Sequence, residues 1–334
     1  MKPLTFSVVC VLALSLVACG DDESAEDTSD LQTYDIDTSR ISVSGVSSGA
    51  MMATQLHVAH SALFSGVAML AGGPYYCAEA SLSKGLDECM KGGDLQLAAL
   101  VDYAKASAAS GAVDPLQNLS DDRVWLMLGS KDTIVHPDLP RGAVAFYGEF
   151  LDAANITYVD AVPVVHGFPT LTNGAPCDQL LTPFLNACDY DAAGELLQAL
   201  LGELQPRVEA SGALLSIPQP GHEDATMLPE AFLYVPDACA NGASCGVHVA
   251  FHGCQQSAAK VGDAFAAGAG YNEWAEANRL LVLYPQVGSS KIAPMNPMGC
   301  WDWWGYTDDN YATRSGAQVS VVKATLDMLA GRTL

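Results

Sequence analysis

Ile41-Ser-Val-Ser-Gly-Val-Ser-Ser-Gly-Ala50 decides how this chain is read, because it sets a serine at the centre of G-x-S-x-G between an apolar run and a helical pattern. In a nucleophile elbow the serine sits on a tight strand-to-helix turn. Gly45 and Gly49 let the backbone pack closely there, and the hydroxyl stands clear of the sheet edge. Ser47 is therefore the candidate nucleophile. The five-residue pattern also occurs in ordinary Gly/Ser-rich loops, so the surrounding chain has to carry the rest of the argument.

Working outward, residues 50–60 place Met52, Leu56 and Ala59 at helical spacings, and residues 66–71 are strand-like before Gly72-Gly-Pro74 stops them. Residues 95–110 read as helix, 123–128 as strand, 143–154 as helix and 156–165 as strand. Further on, residues 232–235 and 247–251 read as strands and 318–330 as helix. This alternation predicts an α/β fold with a mostly parallel central sheet flanked by helices.

Active groups in such sheets gather at the carboxyl ends of strands. Gly129-Ser-Lys-Asp132 follows one strand and offers a carboxylate; His166-Gly-Phe-Pro-Thr170 follows another and offers an imidazole. The chain order Ser47, Asp132, His166 is that of an α/β-hydrolase triad, in which the base takes the serine proton and the acid fixes the base's tautomer. His136 and His222 are alternative bases, and Asp160 and Asp114 alternative acids; His57 and His60 lie on the elbow helix and read as surface or packing residues.

The strand at 247–251 runs into His252-Gly-Cys254-Gln-Gln256, the form taken by an oxyanion loop. Such a loop supplies one backbone N–H and the residue after the nucleophile supplies the other, which assigns the donors to Cys254 and Ser48. A tight turn in which His252 merely packs is the competing reading. The loop follows the three triad residues instead of preceding them, and a circular permutation accounts for that order without altering the sheet.

Upstream, Met1-Lys-Pro and an uncharged apolar run to Ala18 read as an export signal over residues 1–18. Leu16-Val-Ala-Cys19 looks like a bacterial lipobox, which implies cleavage before Cys19, acyl chains on that residue and contact with a membrane surface. Residues 19–39 form an acidic tether, with eight Asp or Glu between 20 and 37 and no base before Arg40. Residues 40–334 are assigned to one catalytic domain.

Loss of residues 1–18 leaves 14 bases against 38 acids, a net charge of −24. That balance excludes nucleic acid as a partner and favours a neutral or apolar substrate. Apart from Cys10 and Cys19, eight cysteines remain, as expected for an oxidising compartment. Proximity suggests the pairs Cys77–Cys89, Cys177–Cys188 and Cys239–Cys245, leaving Cys254–Cys300. No Cys/His cluster has metal-ligand spacing; the acyl-transfer chemistry calls on no cofactor, and a monomer is expected.

Together, Gly45-Val-Ser-Ser-Gly49, Leu70-Ala-Gly-Gly-Pro-Tyr75, Gly129-Ser-Lys-Asp132, His166-Gly-Phe-Pro-Thr170, His252-Gly-Cys254 and Gly299-Cys-Trp-Asp-Trp-Trp-Gly305 resemble the single-domain polyhydroxybutyrate depolymerases and their esterase relatives. The resemblance covers nearly all of the chain beyond residue 40. It implies a circularly permuted α/β-hydrolase that cuts ester bonds in a polymer of short hydroxy acids, with Ser47, Asp132 and His166 as triad and Ser48 and Cys254 as oxyanion donors. Many such enzymes carry a separate polymer-binding module. None is recognised here, so polymer contact is expected on the catalytic domain itself, with Trp301, Trp303, Trp304 and Tyr306 as candidates against a bland reading as packing residues. A feruloyl, acetyl or small-acyl esterase is the alternative activity, and a non-catalytic binding lipoprotein the alternative class.

Overall fold

The computed structural model describes Met1 and residues 32–334. The export signal, Cys19 and most of the acidic tether lie outside the described residues. Among the described residues no helix is long and apolar enough to cross a membrane.

Eight strands make the central sheet: β1 (Ile36–Val46), β2 (Gly66–Leu70), β3 (Arg123–Met127) and β4 (Ile156–Val159) from the first half, then β8 (Ala213–Pro218), β9 (Glu230–Val235), β10 (Cys245–Phe251) and β11 (Leu280–Tyr284). Three short strands between them, β5 (Phe168–Thr170), β6 (Ala175–Pro176) and β7 (Leu185–Ala187), form a separate small sheet. The main order is β4-β3-β2-β1-β10-β11-β9-β8. Every pair from β4 to β11 is parallel, and the β11–β9 and β9–β8 pairs are antiparallel. Strand β1, which leads into the elbow, thus lies directly beside β10, which leads into the oxyanion loop. That adjacency is the arrangement a permuted α/β-hydrolase requires.

Among the described residues, six helices of eight residues or more flank the sheet: α1 (Ser48–Ala59), α2 (Leu97–Ser110), α3 (Asp138–Tyr147), α4 (Ala192–Leu201), α5 (Tyr271–Asn278) and α6 (Ala317–Ala330). Successive strand side chains point to opposite faces, and the core divides accordingly. Ile41, Val43, Val67, Met69, Val124, Leu126, Val247 and Val249 pack under α1, α2, α3 and α6. Val46, Ala68, Leu70, Trp125, Met127, Ala250 and Val282 pack under α4 and α5. Burial on both faces is why these strands read as nearly unbroken apolar runs.

Three polar residues interrupt the central strands, and they satisfy one another. His248 on β10 meets the Ser42 hydroxyl through Nδ1 at 2.8 Å and the Ser44 hydroxyl through Nε2 at 2.7 Å, and Ser44 also meets the Tyr271 hydroxyl at 2.8 Å. Burial pushes the His248 ring down to about 3, so it crosses between β1 and β10 as a neutral group.

Several expected boundaries move. Strand β1 starts ahead of the domain boundary placed at residue 40, because Tyr34 and Ile36 are themselves buried. The helix expected over 143–154 is α3, which begins at Asp138: Pro137 and Pro140 are tolerated only at a helix start, and Gly148 follows its end. The strand expected over 156–165 stops at Val159, since Pro163 has no N–H for a ladder and the carbonyls of Val162 and Val164 accept from Ser130 and Lys131 instead. All four expected disulfides are present: Cys77–Cys89, Cys177–Cys188, Cys239–Cys245 and Cys254–Cys300.

Candidate active site

Ser47 stands between the last residue of β1 and the first of α1 with φ 57° and ψ −121°, a backbone conformation few non-glycine residues adopt. Its N–H is anchored to the Leu70 carbonyl at 2.8 Å. The flanking glycines are dictated by contact: a Cβ on Gly45 would lie 2.1 Å from the Gly49 carbonyl oxygen, and one on Gly49 would lie 2.4 Å from that of His252. The second contact seats the elbow against the oxyanion loop.

Asp132 lies in the turn after β3. Its Oδ1 accepts from the N–H groups of Ile134 at 2.8 Å and Val135 at 3.0 Å, so the carboxylate is oriented by its own turn. Oδ2 accepts from His166 Nδ1 at 2.7 Å, and His166 Nε2 lies 2.9 Å from Ser47 Oγ. These two bonds connect three loops into one chain of hydrogen bonds. His166 is seven residues beyond the end of β4, on an irregular segment held against the Asp132 turn by Ser130 N–H to Val162 O at 2.8 Å and Lys131 N–H to Val164 O at 3.2 Å. Gly129 makes that approach possible, since its Cβ would fall 2.1 Å from the Val164 oxygen. The Val165 N–H donates to Cys177 O, which ties the segment to the Cys177–Cys188 bridge.

None of the alternative residues bonds to Ser47. His136 pairs with Asp138 at 3.1 Å on the surface, His222 bonds to the Gln219 carbonyl, and Asp114 pairs with Arg314 at 3.0 Å. Asp160 is exposed. His57, read as a surface or packing residue, is fully buried between Tyr147 at 2.9 Å and Asp122 at 3.0 Å.

Ser48 and Cys254 flank Ser47 from the two sides. The Ser48 and Cys254 N–H groups have no acceptor among the described residues, while the neighbouring Gly253 N–H is taken by Gln256 Oε1 at 2.7 Å. Ser48 and Cys254 both line the same crevice as Ser47. The Cys254–Cys300 bridge and the Trp301 N–H to Ser48 Oγ bond at 3.3 Å join the elbow, the oxyanion loop and the aromatic loop.

Ser47, His166 and Cys254 open onto a crevice of about 590 Å³ whose walls are mostly apolar. Trp303 and Trp304 line it, held by Asp302, which accepts from the N–H groups of Gly305, Tyr306 and Thr307 at 2.7–2.8 Å. Burial pushes the Asp302 carboxyl up even so. Trp301 and Tyr306 are not substrate-facing as expected. Trp301 is 0% exposed, its indole N–H donating to His252 O at 2.9 Å, and the Tyr306 hydroxyl is spent on Cys300 O, Asn296 and Gln318. Of the aromatic run, the two adjacent residues Trp303 and Trp304 line the crevice. Sequence reasoning missed Leu82, Leu86, Ile134, Leu180, Met295 and Met298, large apolar side chains that line the crevice and stay exposed. Ile134, Leu180, Met295 and Met298 lie outside any helix or strand and so left no periodic signal, while Leu82 and Leu86 share one face of a five-residue helix.

No family model matches the chain. It is 36% identical over 308 residues to a polyhydroxybutyrate depolymerase of Talaromyces funiculosus, covering 87% of this chain and 90% of that one. It is 35% identical over 311 residues to a poly(3-hydroxybutyrate) depolymerase of Delftia acidovorans, spanning 91% of this chain but 62% of the relative's length. The crystal structure of the PHB depolymerase from Penicillium funiculosum superimposes with a TM-score of 0.85 at 34% identity, covering 90% of this chain and 98% of that one. A PHB depolymerase carrying a serine-to-alanine substitution and complexed with an R3HB trimer gives the same values. An elbow serine bonded to a loop histidine, at the foot of an apolar crevice, and homology along nine-tenths of the sequence lead to one conclusion: the chain belongs to the polyhydroxybutyrate depolymerase family, ester-hydrolysing enzymes of the α/β-hydrolase fold.

Proposed function

We propose that this protein hydrolyses the ester bonds of polyhydroxybutyrate or a related polyhydroxyalkanoate through an acyl-enzyme on Ser47. The observation that carries the reading is the unbroken Ser47–His166–Asp132 hydrogen-bond chain at the foot of an apolar crevice. His166 Nε2 takes the proton from Ser47 Oγ as the hydroxyl attacks the ester carbonyl, and Asp132 holds Nδ1–H and stabilises the imidazolium. The developing oxyanion is met by the Ser48 and Cys254 N–H groups, each worth about 3 kcal/mol in the transition state. His166 returns its proton to the departing hydroxy-acid oxygen, and water repeats the sequence on the acyl-enzyme.

A polymeric, apolar substrate fits the rim. Met295 is 64% exposed, and Leu82, Leu86, Leu180 and Met298 are exposed beside it, a cluster of apolar surface that marks a contact site. The four disulfides fit an exported protein. The apolar leader with Leu16-Val-Ala-Cys19 fits a lipid anchor at Cys19, with the acidic segment as its tether. Incubating the purified protein with amorphous polymer tests the activity: release of soluble hydroxy acid or oligomer is expected from the native protein and none from Ser47→Ala. Equal release by both ends the proposal.

A further inference from the structure

Asn186, on β7, is fully buried beside the segment that carries His166, and its carboxamide is only half used. Nδ2 donates to the Pro176 and Gln179 carbonyl oxygens, each at 2.9 Å. Both partners can only accept, so the nitrogen must face them and the oxygen must face away. Oδ1 has no hydrogen-bond partner among the described residues, and a buried polar atom in that state calls for a reason. It points at Gly167. A Cβ on that residue would collide with Asn186 Oδ1 and lie 3.0 Å from the Phe184 oxygen, so the carboxamide oxygen rests directly against the glycine backbone.

Gly167 follows the base, on a stretch of chain with few bonds of its own. Val165 N–H donates to Cys177 O at 3.3 Å and Phe168 N–H donates to Phe184 O at 2.9 Å. Between these two tethers the His166 and Gly167 N–H groups have no acceptor among the described residues. Asn186 acts on both sides of that gap. Its nitrogen grips the Pro176–Gln179 turn, which contains Cys177, and its oxygen blocks Gly167 from moving toward β7. The ring carried by this backbone has to span 2.7 Å to Asp132 and 2.9 Å to Ser47, a fit with little slack.

We propose that Asn186 is a positioning residue for ester hydrolysis: it braces the backbone at Gly167 so that His166 reaches Asp132 and Ser47 at once. This rests on the esterase reading above. Misplacing a reacting group by about 1 Å costs on the order of a hundredfold in rate. Binding of the uncharged ester does not use the base, so the effect belongs to kcat and not to KM.

The test compares native protein, Asn186→Ala, Gly167→Ala and the double variant on a soluble aryl ester, with active sites titrated to completion by a phosphonate. Asn186→Ala removes the brace and is expected to lose about ten- to a hundredfold in kcat per titrated site, with KM unchanged. Gly167→Ala sets a methyl group against Oδ1, displaces His166 and loses at least as much. In the double variant the methyl group enters the space the oxygen vacated, so kcat per site rises to about tenfold above that of Gly167→Ala, the non-additivity expected of residues in contact. A role confined to holding the fold would lower the thermal stability of Asn186→Ala while keeping kcat per site within about twofold of native. A loosened crevice wall at Leu180 and Phe184 would raise KM instead, and losses that simply multiply in the double variant would mean that the two residues act separately. Any of these three results overturns the proposal. Should Asn186→Ala not fold, the same cycle with Asn186→Ser decides, since the shorter side chain withdraws its oxygen from Gly167 while its hydroxyl can still donate to one of the two carbonyls. Recovery in that double variant sustains the role, and multiplied losses overturn it. Native protein that cleaves no ester and takes no phosphonate refutes the esterase reading itself, which keeps the two failures distinct.

Discussion

Replacing Asp132 by asparagine removes a charge while leaving the turn around it satisfied. Oδ1 accepts two backbone N–H groups, from Ile134 and Val135, and only an oxygen can take that place. The asparagine amide nitrogen therefore occupies the Oδ2 position and presents N–H to His166 Nδ1, where the carboxylate accepted at 2.7 Å. The imidazole responds by carrying its proton on Nε2, which faces Ser47 Oγ at 2.9 Å and can then no longer take the serine proton. The imidazolium of the transition state also loses its counter-charge. The two losses together lower kcat by about ten-thousand-fold, the scale of the same change in other triads, or about 5.5 kcal/mol of barrier. Stability stays within about 1 kcal/mol, because both turn donors keep an acceptor. Asp132→Ala, which strips those acceptors, costs about 1–3 kcal/mol of stability as well. Acylation rates on a soluble aryl ester, normalised to active sites, and urea unfolding measure the two quantities. A rate loss of less than about tenfold for Asp132→Asn, or equal destabilisation by both variants, would refute the tautomer argument.

Other consequences are as direct. A methyl group at Gly49 meets the His252 and Phe251 carbonyl oxygens at 2.4 and 2.6 Å, so Gly49→Ala is expected to cost about 3 kcal/mol; an unchanged urea midpoint contradicts it. His57→Leu leaves the Asp122 carboxylate and the Tyr147 hydroxyl buried without their shared partner and is expected to cost about 3–5 kcal/mol, against about 1 kcal/mol for Tyr147→Phe. Thermal unfolding separates the two, and kcat per active site should be unchanged in both. The His248 and His252 rings, pushed down from 6.5 to about 3 and about 4, are neutral when folded and charged when unfolded as pH falls below 6.5. The unfolded chain then binds the extra protons, so stability falls on acidification by about 1.4 kcal/mol per pH unit for each ring until its folded value is reached. Urea titrations at successive pH values check this, and stability that rises between pH 6.5 and 4 is the contrary result.

What the sequence made legible was whatever had a local backbone cause. Gly45 and Gly49 mark close approaches, Asp132 holds its own turn, and the first three disulfides join neighbours in the chain; each left a pattern a few residues long. The strand-end argument for His166 is partly mistaken, since β4 stops short of it and the Val162 and Val164 carbonyls, bonded across to the Asp132 turn, bring it beside Ser47. Long-range partnerships left no mark. Nothing in the neighbourhood of His57 points to Asp122, and nothing around Gln256 points to the carbonyl of Pro183. The aromatic run was legible as a site but not as four separate residues: Trp301 turns inward beneath Phe251 while Trp303 and Trp304 line the crevice, a division set by the Asp302 turn. Strand β11 and helices α4 and α5 were absent from the sequence reading.

The β1–β10 pairing has a consequence for how the protein comes into being. Ser44 and His248 meet across 204 residues of chain, and the hydrogen-bonded Ser47, Asp132 and His166 all precede the second strand of that joint. A chain emerging amino-terminus first builds β4-β3-β2-β1 and must wait with the edge of β1 unpaired, carrying Ile41 and Val43. Unpaired edges of this kind recruit other chains, and pairings over such separations close slowly. A cut anywhere between α4 and β8 leaves Ser47, Asp132 and His166 on one fragment and Cys254 on the other, so ester hydrolysis is expected only when the two halves associate.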